Sequence, residues 1–515
     1  MTDIDSMPNL PGILTASSTE EALTERIALQ EAQIADALAP YDPRSATYAW
    51  FDTLRAVEEC INLITVEWEE DGFDQMLFSL PIAELDQHLG QFRSVQARLV
   101  ERFGQNFGAR FANLSLQGFA IATAFSHQGA VEVAAGFHTL GTMLGYLQSR
   151  RRHFVGLLHL LPRACRGNRV VIPLDTFNTF LPLIEFTAIQ MMGAQNALLV
   201  KLSRARLGLP EREDAALAML DALFLEPERA RIIDIPLTGA GAEILRSKET
   251  LQADRLFSAA ELRNDILTIE TAYAEFDLAG SGFPVAATLV RRLSTQYVDR
   301  DYWVVISPSD LSVILNQTGA PSNLRSALVS PAPSYMECLS TYAPLVLVDG
   351  VYRSTVTLLS RFIYHWRARC LDRKKRFQIR AGFIFEDAVA EELGVQGFSV
   401  QEITRINRRE FDVVTLRDGV VWNVQCKNNF VELESVESDP QRFARYNRAL
   451  VRSYERALAK ELDREHLLKS KLSLDAVQHI VVSRFPVVCD NSRIVPFSRI
   501  AEFSARANAL LAGGS

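Results

Sequence analysis

Apolar residues recur at helical spacing through residues 18–295, and β-type runs take over only towards the C-terminus. Stretches 18–38, 48–70, 81–103, 131–161, 173–201, 212–224 and 259–279 read as helices; the first begins with cap-forming Ser/Thr and acidic residues. Residues 1–17, with Pro8 and Pro11 and few large apolar groups, read as a disordered tail. From 296 the pattern is mixed. Residues 302–306 read as a strand and 308–315 as a helix. Residues 345–348, Asp349-Gly350 and 351–359 read as a hairpin or as a strand turning into a helix, with Pro331-Ala332-Pro333 as a hinge before them. Then come a helix over about 379–394, a hairpin over 411–427, a helix over 441–462, an apolar β-branched strand over 477–484 and a short final helix over 496–511. The fold class expected is multidomain: a disordered tail (1–17), a mostly α-helical region (18–295), a mixed α/β connecting region (296–370) and an α/β sandwich with a central mixed sheet (371–515).

The hairpin carries the most chemistry. Asp418-Gly419 is a strong two-residue turn signal, because both central positions of a type I′ turn need positive φ. With that turn Arg417 faces Val420, and counting outward Asp412 faces Gln425. Side chains alternate along a strand, so Lys427 shares a face with Gln425. A carboxylate, an amide oxygen and an ammonium therefore converge, while Phe411, Val413, Thr415, Trp422, Val424 and Cys426 make the opposite, core-facing surface. Such a patch suits a hard cation: Mg²⁺ prefers oxygen ligands and keeps several waters. Lys427 would hold a water or stabilise a phosphate. The alternative is a hairpin whose polar face is merely solvated. On the preceding helix, Ile379, Phe383, Ala390 and Leu393 form a stripe that includes Glu386. A carboxylate on an apolar stripe is costly unless paired or coordinated.

These residues resemble the PD-(D/E)xK nuclease superfamily, and within it the Mrr-type branch, whose members carry a G-x-x-[FY]-E helix, an aspartate and then Q-x-K. The matching positions are Gly382-Phe383-Ile384-Phe385-Glu386, Asp412 and Gln425-Cys426-Lys427, and the resemblance covers about 375–490. It implies a restriction-endonuclease-like fold in which Asp412, Gln425 and Glu386 bind Mg²⁺ or Mn²⁺ and Lys427 serves the attacking water. Phe411 stands in place of the name-giving proline. Gln425 replaces the second acid and removes a negative charge, which weakens metal affinity.

Charge is asymmetric along the chain. From Val351 onwards there are 27 Lys and Arg against 20 Asp and Glu, whereas the first 350 residues hold 27 against 42. A basic segment beside a candidate metal site suggests a polyanionic partner, DNA above all. One cluster, Arg367, Arg369, Arg373, Lys374, Lys375, Arg376 and Arg380, leads into the Glu386 helix. Another, Arg445, Arg448, Arg452 and Arg456, shares one face of the helix after the hairpin, opposite Phe443, Leu450, Tyr454 and Leu458. Arg408 and Arg409 stand just before the hairpin, with Arg405 nearby. Arginine contacts to phosphate supply sequence-independent affinity, although a solvated amphipathic face would look the same.

The remaining signals are weak. Six scattered cysteines with no CxxC argue for a reducing cytoplasm and against structural zinc. The start of the chain lacks a signal-peptide pattern, and polar residues interrupt the most apolar stretch, 114–147, so no membrane span is expected. The run RIIDIPLTGAGAE (231–243) lacks the third glycine of a dinucleotide fingerprint. Arg150-Arg151-Arg152 reads as a solvated basic spot, and His153, His159, His466 and His479 as structural. Three functions compete: a metal-dependent DNA endonuclease, in defence against foreign DNA if the resemblance extends so far; a nucleic-acid-binding protein that kept the fold without cleavage; and an interaction scaffold. A homodimer and a protein partner for the N-terminal region are further expectations.

Overall fold

A computed structural model describes residues 19–211, 258–429 and 438–512, apart from positions 69, 128, 130, 173–174, 300–301 and 330–333. The tail 1–17, the helix expected at 212–224, the glycine run at 231–243 and the proline hinge at 331–333 lie outside the described residues. By internal packing the chain divides into two compact units, one of 30–189 with 237–371 and one of 1–29, 190–236 and 372–515. The segment 296–370 therefore counts with the helical unit.

The helical unit contains Pro43–Ile61, Gln105–His127 and Arg151–Ala164, together with a four-stranded antiparallel sheet. Residues 131–161, expected as one helix, form three: Val131–Ala135, Leu140–Ser149 and Arg151–Ala164. Thr139 is the reason for one of the breaks, since it caps the second helix in a reciprocal box with Thr142. The expected 345–359 feature is both things at once. Val346–Val348 and Val351–Thr355 pair through Asp349-Gly350, at φ 52° and 72°, and the second strand runs into helix Val356–Leu371.

The other unit holds the expected α/β layers. Helix α1 spans Lys375–Val395, strands β1, β2 and β3 span Ser399–Gln401, Val413–Arg417 and Val420–Lys427, and helices α2 and α3 span Pro440–Asp463 and Glu465–Leu472. Strands β4 (Val477–Ser483) and β5 (Ile494–Pro496) and helix α4 (Phe503–Ala512) complete it. The sheet order is β5-β4-β3-β2-β1, parallel across the first two pairings and antiparallel across the last two. Phe385, Val389 and Leu393 of α1 and Phe503 of α4 pack on Val413, Trp422, Val424, Ile480 and Val482. The opposite face buries Val414 and Val421 against Leu468 of α3, and α2 lies over β3 and β4 on that side. Full burial of each large apolar side chain contributes roughly 1.5–3 kcal/mol. Helix Ile189–Leu207 belongs largely to this unit, where Arg204 holds Asp490 through two hydrogen bonds of 2.7 and 2.8 Å.

The turn residues behave as their chemistry requires. Asp418 and Gly419 have φ of 52° and 74°, and Arg417 pairs with Val420. The ladder continues to Val413 opposite Val424 and stops there. Phe411 consequently leaves the face assigned to it by alternation and joins Val414 and Val421 on the other side. Period-two counting holds only while the chain stays in the ladder.

Candidate active site

The end of the β2–β3 ladder, beyond Val413, gathers the candidate residues. Asp412 lies just outside β2, and its Oδ2 accepts a hydrogen bond from the Cys426 backbone N–H at 2.8 Å. Gln425 is buried, and its Oε1 accepts a hydrogen bond from Lys427 Nζ at 3.0 Å. Gln425 is also close enough to Asp412 to favour its ionised form.

Glu386 approaches from α1, but not from the buried stripe. That stripe is Phe377, Ala381, Phe385, Val389 and Leu393. Ile379 and Phe383 are 51% and 53% exposed, and Glu386 is half-buried at the edge. Of the expected stripe, Leu393 is buried in the core and Ala390 packs against it, while Ile379 and Phe383 face outward. The core stripe is the neighbouring one, from Phe377 to Leu393, and it shares only Leu393 with the expected stripe.

The electrostatics join these groups. Burial, and then the negative charge of Asp412, push the Glu386 carboxyl up to about 7; Asp387 and Glu410 add to this and Lys427 opposes it. Burial likewise raises the Asp412 carboxyl, against the Cys426 N–H, the Lys427 charge and the Gln425 amide. Burial lifts the Cys426 thiol well above its ordinary value, with Asp412 and Glu386 next in effect. Two carboxylates thus share a partly desolvated place with less positive charge than they call for.

A hard cation would supply it, and every donor on hand is oxygen: Glu386, Asp412 and the Gln425 amide. The set is lean. Among the described residues no three His, Cys, Asp or Glu side chains stand together as a metal-holding group. A cation here would lean on Gln425 and on water, and Lys427 would have to release the amide oxygen it now occupies.

The basic residues do not form one surface. Arg376 and Arg380 are exposed on α1, and Arg445, Arg452 and Arg456 are exposed on α2 with Arg448 half-buried, so the two groups lie over opposite faces of the sheet. Arg408 and Arg409 are exposed on a two-stranded ribbon, Arg405–Ile406 with Arg409–Glu410, that leads directly into Asp412. Arg405 pairs with Glu410 there. Arg367 belongs to neither group: it is buried in the helical unit, donates to Tyr273 Oη at 2.8 Å and stacks on that ring.

One cluster beneath the sheet escaped the sequence reading. Asn423 Nδ2 donates to Glu461 Oε2 at 2.8 Å and lies 3.1 Å from His479 Nδ1; His479 Nε2 is 3.0 Å from Glu465 Oε2. Arg464 pairs with Glu461, which is fully buried. A signal existed: Glu461 falls on the stripe of Phe443, Leu450 and Tyr454, seven residues beyond the last. What the sequence did not show is the parallel pairing of β3 and β4 that sets His479 beside Asn423. Further along, Tyr454 Oη donates to Asn429 Oδ1 at 3.0 Å and Arg484 Nη1 to Asn428 Oδ1 at 2.9 Å, fixing the chain just after Lys427.

In the helical unit the Arg150-Arg151-Arg152 spot is not solvated. Arg150 pairs with Glu185 at 2.6 Å, Arg151 with Glu58 at 2.6 Å, and the buried Arg152 donates to the Leu339 carbonyl at 2.9 Å. These arginines tie elements distant in sequence to the start of one helix. His153 and His159 are buried, and both are pushed down to about 3, chiefly by burial. They are neutral, and His153 shares a 2.8 Å hydrogen bond with Tyr335 Oη.

No protein-family model, curated protein or solved structure matches this chain. No helix among the described residues is long and apolar enough to cross a membrane.

Proposed function

We propose that the unit containing 372–512 hydrolyses phosphodiester bonds in DNA with the help of Mg²⁺ or Mn²⁺. The observation that carries this reading is the convergence of Glu386, Asp412, Gln425 and Lys427, from one helix and one hairpin, at the partly buried end of the β2–β3 ladder with a basic ribbon leading into it. Asp412, Glu386 and the Gln425 amide oxygen would hold the metal, which when bound would polarise a phosphate oxygen and acidify a water. Lys427 contributes a positive charge that can hold that water or steady the phosphate as negative charge builds up. The Cys426 N–H holds the Asp412 carboxylate in place, whereas the Gln425 oxygen reaches a metal only once Lys427 turns from it. Arg408 and Arg409 supply phosphate contacts beside the site.

The expected result is cleavage of double-stranded DNA that requires Mg²⁺ or Mn²⁺ and is abolished by Asp412→Ala or Lys427→Ala. Undiminished cutting by either variant would remove the assignment.

A second reading, nucleic-acid binding without cleavage, has its own support in the lean donor set and in the hydrogen bond that occupies the Gln425 oxygen. Salt-sensitive DNA binding by a wild-type protein that does not cut with either metal would decide for it.

A further inference from the structure

The exposed face of α1 is unusual in its composition. Arg376, Ile379, Phe383 and Glu386 follow one another at spacings of three and four, which sets them along a single side of the helix. Its two middle members are large, apolar and about half exposed. Neither is needed for the core, which the neighbouring stripe from Phe377 to Leu393 already fills. A Cβ at the adjacent Gly382 would meet nothing within 4 Å, so nothing packs over the helix at that position either. Basic residues mark one end of this face, with Lys375, Arg376 and Arg380 all exposed, and the candidate carboxylate cluster marks the other.

A strip that is basic, then apolar, then metal-binding matches the make-up of a nucleotide chain, with its phosphates and flat apolar bases. A paired duplex presents chiefly phosphate and sugar to such a helix, because its base faces are stacked on one another. An unpaired base offers a flat apolar surface that an aromatic ring can cover, and base–aromatic stacking is worth about 1–3 kcal/mol per base. Resting on the proposed nuclease reading, we infer that Phe383, backed by Ile379, is a stacking platform for an unpaired base, and that the site acts where a strand is single or locally unpaired. The arginines hold flanking phosphates, and Phe383, one helical turn from Glu386, sets the base next to the phosphate at the cluster.

The test uses the full-length chain in an Asp412→Ala background, which separates binding from cutting. Phe383→Ala and Phe383→Trp are compared on a short single strand carrying 2-aminopurine and on the matching duplex. The inference expects Phe383→Ala to weaken single-strand binding by about 5- to 150-fold, to abolish the quenching of 2-aminopurine that stacking causes, and to leave duplex binding nearly unchanged. Phe383→Trp should retain both binding and quenching. Equal binding of both nucleic acids by the parent and Phe383→Ala, with unaltered quenching, would overturn the platform and leave the nuclease reading standing. No binding of either nucleic acid by the parent would overturn both. A change of oligomeric state in Phe383→Ala without a change in single-strand binding would overturn it in favour of a second copy of the chain on this face.

Discussion

Replacing Glu386 by glutamine should stabilise the metal-free protein, and only on the alkaline side. The Glu386 carboxyl, ordinarily at 4.5, stands at about 7 in the fold because burial and the charge of Asp412 disfavour its ionised form. The fold therefore prefers this group protonated. Stability is greatest below 4.5, declines as pH rises from 4.5 to about 7, and loses the whole contribution above that. A fully desolvated group with such a displacement would cost about 3 kcal/mol. Glu386 is only half-buried, and solvent screening brings the figure to the order of 1 kcal/mol. Glutamine keeps the shape of the protonated acid and carries no charge. Glu386→Gln should thus match the wild type near pH 5 and exceed its stability by about 1 kcal/mol near pH 8. Amide hydrogen exchange in β2 and β3, read as the difference between the two proteins at each pH, isolates this unit from the rest of the chain. Saturating Mg²⁺ should close the gap at pH 8, because the cation supplies the missing charge to the wild-type carboxylate. An equal loss of stability in the variant at both pH values would refute the reasoning, since it would mean that Glu386 is held by an interaction that needs its charge.

Three other expectations can be checked. Gln425→Glu should tighten metal binding, seen as a lower Mg²⁺ concentration at half-maximal effect on exchange or cleavage; an unaltered metal requirement would mean that this position does not share an ion with Asp412. Phe385→Ala should cost about 3–5 kcal/mol through the cavity it leaves, whereas Phe383→Ala should stay within about 0.5 kcal/mol, and comparable losses on denaturation would reverse the assignment of the two faces of α1. Glu461→Ala should cost about 3–5 kcal/mol, because it leaves the Arg464 guanidinium without its buried partner, measured by the same exchange method; a near-neutral effect would mean that the cluster under β3 is open to water.

Much of the candidate site was legible because its parts lie close in sequence and obey local rules. Two φ-positive residues at Asp418-Gly419 set the register, and the register alone predicted that Asp412, Gln425 and Lys427 would meet. Helical periodicity found the outer face of α2 and the inward Phe443, Leu450 and Tyr454. It also found the Ile379–Phe383–Glu386 face but assigned it to the core, since amphipathic periodicity names a face without saying which of two neighbouring stripes is covered. Phe411 shows the same limit in a strand: alternation predicted its side until the ladder ended one residue short of Asp412.

The sequence by itself determined the hairpin, its turn and its register, and the helices that flank it, because each depends on residues within a few positions of one another. Only the tertiary structure decided that β4 pairs in parallel with β3, which sets His479 beside Asn423 and makes a network with Glu461 and Arg464 under the sheet. It alone placed the α1 and α2 arginines over opposite faces and turned the arginines at 150–152 into partners of Glu185, Glu58 and the Leu339 carbonyl. The physical reason is range. Backbone dihedrals and side-chain periodicity act locally, whereas burial and the pairing of charges depend on what the remote parts of the chain bring to the same place.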